Sequence, residues 1–84
     1  MILKNSKIYN EPSSKEVELI LELFNSKKII GTQKEIDRKA KKYPNSSILN
    51  NIQGALLAEQ NQLSVAIEKY KTSIKIIFHQ KIFF

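Results

Sequence analysis

Shifted by 34 residues, the chain falls on itself. Ser13 meets Ser47, Leu23 meets Leu57, Ile29 meets Leu63, and the dipeptide Lys27-Lys28 falls on Asn61-Gln62. Further along, Ile36 meets Tyr70, Ala40 meets Ile74 and Lys41 meets Lys75. A period of this length marks one supersecondary unit used twice, each copy burying against its neighbour what it cannot bury alone. Both copies must then share one local structure, which narrows the possible folds sharply.

That local structure reads as a helix pair. Ser13 predicts an N-cap, and Glu16 three residues later completes a capping box. Val17, Ile20, Leu21 and Phe24 follow at i, i+3, i+4 and i+7, one apolar stripe that Leu19 and Leu23 widen. Asn25-Ser26 ends this first helix. Thr32 and Glu35 offer a second capping box just after Gly31, with Ile36, Ala40 and Tyr43 as a sparse apolar face. Lys34, Asp37, Arg38 and Lys41 form the solvated face, and Pro44 stops the helix before the turn "PNSS". A third helix begins at Ser46 or Ser47, carries Ile48, Leu49, Ile52, Ala55 and Leu56, and fades at Glu59-Gln60. Asn61-Gln62 makes the next turn, and Leu63, Ala66, Ile67, Tyr70, Ile74 and Ile77 mark a fourth helix. The expectation is four helices of about eleven to fifteen residues. Short turns make neighbours antiparallel. No segment sustains period-two alternation, so no sheet is expected.

Gly54 sits inside the third helix, where glycine costs about 1 kcal/mol relative to alanine. A close helix crossing explains it: a side chain at Gly54 would push against the facing helix near Ala66. A phosphate-cradling loop clusters glycines, and this chain has only Gly31 and Gly54.

With Pro44 closing the first copy, and Gly54, Leu57, Ala66, Tyr70 and Ser73 at their spacing in the second, the chain resembles the tetratricopeptide repeat (TPR) family over about residues 13–80. Ser73 stands where the family has its last small alanine. The first copy departs from the pattern, with Ile20 at the glycine position and Thr32 at the small alanine position. It reads as a degenerate terminal repeat, and such repeats are often atypical. The resemblance implies an all-α fold: two antiparallel helix-turn-helix repeats forming a short right-handed solenoid. It divides the chain into a leader (1–12), a first repeat (13–46), a second (47–80) and an apolar tail (81–84). It also implies protein or peptide binding on a face supplied by the first helix of each pair. Those positions are Val17, Leu21, Phe24, Asn25, Asn51, Ala55, Ala58 and Glu59, with Phe24 weighted toward the core. Of the family's carboxylate clamp only Asn51 is matched, which argues against capture of an acidic C-terminus. The segment 41–70 also resembles repeats that precede sulfotransferase or glycosyltransferase domains in some bacterial proteins. A truncated fragment of such a protein, without independent activity, is the second reading.

Composition excludes more than it selects. Without cysteine there is no disulfide, and His79 alone cannot build a zinc site. Association is the helper left to a domain of 84 residues. The net charge of +6 allows a third reading, a small basic nucleic-acid binder. Arg38 is the single arginine, however, and arginine is preferred for bidentate phosphate and base contacts. The many Ile, Asn and Lys residues are also what AT-rich coding gives whatever the function. No apolar run is long enough for a secretory signal or a membrane span, so a cytoplasmic location is expected. No nucleophile stands beside a base, and Glu16, Glu18 and Glu22 read as solvated or paired carboxylates. Neither enzymatic activity nor a cofactor is expected. The closing "SIKIIFHQKIFF" fits no third repeat. It reads as a reading frame cut or shifted near Phe78, with His79 in an irregular tail, or else as a self-association surface or a makeshift cap folded back over the last helix.

Overall fold

The computed structural model describes residues 11–82. Within them lie four α-helices and no strand: α1 (Ser14–Asn25), α2 (Ile29–Lys42), α3 (Ser47–Glu59) and α4 (Leu63–Ile82). Each helix packs on its neighbour in the chain, most extensively α3 on α4. None of the described helices is long and apolar enough to cross a membrane.

The starts of α1 and α3 follow the expected caps, and that of α2 does not. At α1 the capping box forms in full: Glu16 N–H donates to Ser13 Oγ (3.2 Å) and Ser13 N–H to Glu16 Oε1 (2.8 Å). At α3, Leu49 N–H donates to Ser46 Oγ at 2.9 Å. The box expected at Thr32 and Glu35 does not form, because α2 begins at Ile29 with Lys28 as an N-cap that makes no side-chain bond. Thr32 is instead wholly buried within α2, its hydroxyl donating to the Lys28 carbonyl at 2.7 Å. That back-bond satisfies the hydroxyl locally, so Thr32 can serve as a small packing residue, as Ala66 does 34 residues later.

The two intra-pair turns are alike in detail. Lys27 and Asn61, 34 residues apart, have φ of 63° and 66°. Lys27 N–H and Lys28 N–H donate to Phe24 O and Leu23 O, and Asn61 N–H and Gln62 N–H to Ala58 O and Leu57 O. Each turn is a Schellman closure with a left-handed residue just past the helix end. Asparagine tolerates that backbone; lysine adopts it at a steric cost.

The core is formed by Ile20, Ile36, Leu49, Ile52 and Leu56, with Val17, Phe24 and Tyr43 packed against it. It joins α1, α2 and α3. Contact between α3 and α4 uses small residues: Gly54, Ala66 and Ser73 are buried, and Ser73 Oγ donates to Ser47 O at 2.9 Å. The obstacle at Gly54 is not Ala66 but Tyr70, one turn further on. A Cβ added to Gly54 would lie 2.7 and 2.8 Å from Tyr70 ring carbons, so the ring occupies the space a side chain would need.

The largest departure from expectation is α4. It does not break near Phe78; it continues to Ile82 over 20 residues, and His79 lies inside it. Nothing between Lys71 and Ile82 is glycine, proline, asparagine or aspartate, so no local signal stops the helix. Because Ser73 sits against Ser47, the first residue of α3, the rest of α4 from Ile74 onward runs past its partner. The expected leader up to Asn10 and the tail residues Phe83 and Phe84 lie outside the described residues.

Candidate interaction surfaces

Of the eight positions expected to meet a partner, Leu21, Asn25, Asn51 and Glu59 are exposed. Ala55 and Ala58 are half-buried on α3. Val17 and Phe24 pack on the core, so they support the surface from beneath. Lys27 Nζ approaches Glu59 Oε1 at 3.9 Å and ties the α1–α2 turn to the end of α3. Among the repeat-signature positions, Gly54, Ala66 and Ser73 are buried, Leu57 and Tyr70 half-buried, and Pro44 exposed in its turn.

The two outer helices present opposite chemistry. Inside the molecule α3 meets α2 through Leu49, Ile52, Gln53 and Leu56, which face Gln33, Ile36 and Tyr43. The Gln33 and Gln53 amides pair reciprocally at 2.8 Å. Thirty-four residues before those four α3 positions stand Lys15, Glu18, Leu19 and Glu22, all exposed. The outer face of α1 is therefore mostly charged. Thirty-four residues after Gln33, Ala40, Tyr43 and Pro44 stand Ile67, Ile74, Ile77 and Phe78, which are 51%, 64%, 44% and 64% exposed. The outer face of α4 is therefore apolar and uncovered by the described residues. Sequence reasoning placed the apolar excess in the tail alone; the period itself was the signal for the face along the helix body.

A shallow depression of about 220 Å³ lies between α2 and α3, lined by Ile36, Asp37, Tyr43, Asn50, Gln53 and Lys69 among others. Among the described residues no three His, Cys, Asp or Glu side chains come together in a way that could hold a metal ion.

Charged groups instead fasten the helices. Glu16 accepts from the Tyr43 hydroxyl at 2.8 Å, and the Lys39 and Lys42 ammonium groups each lie 3.5 Å from its Oε2. Lys39 also stands 3.4 Å from Glu35 Oε2, a buried oxygen to which no described residue donates a hydrogen bond. The start of α1 is so joined to the end of α2. The Glu16 carboxyl is lowered from 4.5 to about 2, first by the Ser13 N–H bond, then by the Tyr43 hydroxyl and the Lys42 charge. A depressed carboxylate stabilises the fold above its unfolded pKa and loses that contribution as pH falls through the folded one. Glu16→Gln is thus expected to lower the urea midpoint at pH 7, and the gap from wild type to shrink as pH drops from 4.5 toward 2. A gap independent of pH would contradict this role.

Glu11 makes a contact that local sequence reading missed. Its carboxylate accepts from Ser47 N–H (2.8 Å), Ser47 Oγ (2.9 Å), Ile48 N–H (3.2 Å) and Ser46 Oγ. At α3 the third helical residue is Leu49, so no local carboxylate can complete a capping box there. Glu11 supplies one across a separation of 36 residues and also meets the positive end of the helix dipole. Compared with known proteins, the chain matches no family model, no curated protein and no solved structure.

Proposed function

We propose that the chain is a non-catalytic interaction module of tetratricopeptide type, two helix hairpins stacked as a short right-handed solenoid that binds a protein or peptide segment. The observation that carries this reading is the 34-residue recurrence of the turn, with the same left-handed residue and the same two backbone bonds at Lys27 and Asn61. The Gly54–Tyr70 contact adds support, because it places a small residue of one helix under an aromatic of its pair. The peptide surface is assigned to α1 and α3, where Leu21, Asn25, Asn51 and Glu59 offer apolar contact, amides and one carboxylate to an extended or helical segment.

Peptides selected from a random display library against the folded chain provide the test. Their binding should perturb the backbone amide resonances of Leu21, Asn25, Asn51 and Ala55. Leu21→Asp together with Asn51→Ala should weaken the selected peptides about tenfold or more, as loss of central interface contacts does. Perturbations confined to α2, or full affinity in the double variant, would overturn the assignment.

A further inference from the structure

The row on α4 that no described residue covers has a symmetric spacing. Leu63, Ile67, Ile74 and Phe78, all exposed, are separated by four, seven and four residues. Read in either direction along the helix, the row is the same. On a helix of 3.6 residues per turn these four positions fall within one narrow stripe. We propose that this stripe is a self-association surface on which a second copy of the chain lays its own α4 antiparallel, about a two-fold axis near Tyr70 and Lys71.

In that register Leu63 of one copy lies beside Phe78 of the other, and Ile67 beside Ile74, twice each by symmetry. Tyr70 and Lys71 straddle the axis on opposite edges of the stripe, so each lies beside its own counterpart, and the Lys71 stems flank the contact with their ammonium groups turned to water. Charge agrees with the same register. Glu68 is the one acidic residue of α4, and it shares an edge of the stripe with Lys75. Antiparallel pairing brings Glu68 of each copy next to Lys75 of the other. The alternative of stacking copies end to end is disfavoured, because α1 presents Lys15, Glu18 and Glu22 where α3 presents the apolar residues that dock on α2. Apolar residues of one α4 would then face charges that lose their water. An isologous contact avoids this and closes on itself as a dimer instead of propagating.

This inference concerns α4 and stands apart from peptide binding on α1 and α3. It is tested by sedimentation equilibrium of the full chain. A single helix pair makes a small interface, so wild type should sediment near its monomer mass of 9.7 kDa at roughly 10 µM and approach twice that mass near 1 mM. Ile67→Asp with Ile74→Asp should stay monomeric at both concentrations with unchanged helical circular dichroism, since both residues are exposed. Leu19→Asp on α1 should dimerise as wild type does. Glu68→Lys should weaken the dimer, and adding Lys75→Glu should restore it, a rescue that only a register bringing 68 to 75 supplies. A monomer at every concentration would overturn the proposal. So would dimers indifferent to the Ile67 and Ile74 changes, or anionic vesicle binding by a monomer that those changes abolish.

Discussion

Truncating Leu56 to alanine should remove about 2–5 kcal/mol of folding stability, the range for emptying a close-packed core position. Leu56 is 1% exposed and belongs to the cluster that Ile20, Ile36, Leu49 and Ile52 complete. A small domain has roughly 5–15 kcal/mol in total, so this one change removes a large share of it. The melting temperature should fall by roughly 8–40 °C, at about 4–8 °C per kcal/mol for a domain of this size. Ile74→Ala removes a side chain of similar size from a position 64% exposed and should change stability by about 0.5 kcal/mol or less in the monomer. Thermal melts of the two variants at low protein concentration check the contrast. Equal losses would mean that the core is not where α1, α2 and α3 converge.

Gly54→Ala should destabilise the chain even though alanine is the better helix former. The propensity gain is about 1 kcal/mol. Against it stands a Cβ placed 2.7, 2.8 and 3.0 Å from three Tyr70 ring atoms, too close for any of them to remain in place. Overpacking of this kind costs about 1–3 kcal/mol, so the net loss should be about 1 kcal/mol. Gly31 is the natural contrast. Its added Cβ would meet Leu23 Cδ2 at an ordinary 3.6 Å, so the same substitution there carries the propensity gain without the clash.

Helix number and type were legible in the sequence because the apolar stripes keep helical spacing and Ser13 and Ser46 are strong N-caps. The turns were legible through the 34-residue shift, which aligns Lys27 with Asn61 although only asparagine announces a left-handed backbone. The start of α2 was not, because Thr32 at a packing position looks the same in sequence as Thr32 at a cap. The end of α4 was misread for a related reason: a lost repeat pattern says nothing about whether the backbone stays helical. Glu11 lies 36 residues from the groups it caps, a pairing that local rules cannot find. As for surfaces, positions on α1 and α3 could be named from the repeat. The apolar face of α4 emerged only once the contacts of α3 on α2 showed which positions a neighbour would cover.

The central claim is that α3 and α4 form one close-packed hairpin set by a glycine beneath an aromatic ring. The measurement that tests it most directly is the stability effect of Gly54→Ala in two backgrounds, wild type and Tyr70→Ala, by urea unfolding. Removing the ring removes the clash and leaves the propensity gain. The substitution should therefore lose about 1 kcal/mol with Tyr70 present and gain about 0.5–1 kcal/mol without it, a coupling of the size found for residues in contact. The same effect in both backgrounds, of either sign, would mean that Tyr70 does not pack on Gly54 and would contradict the account.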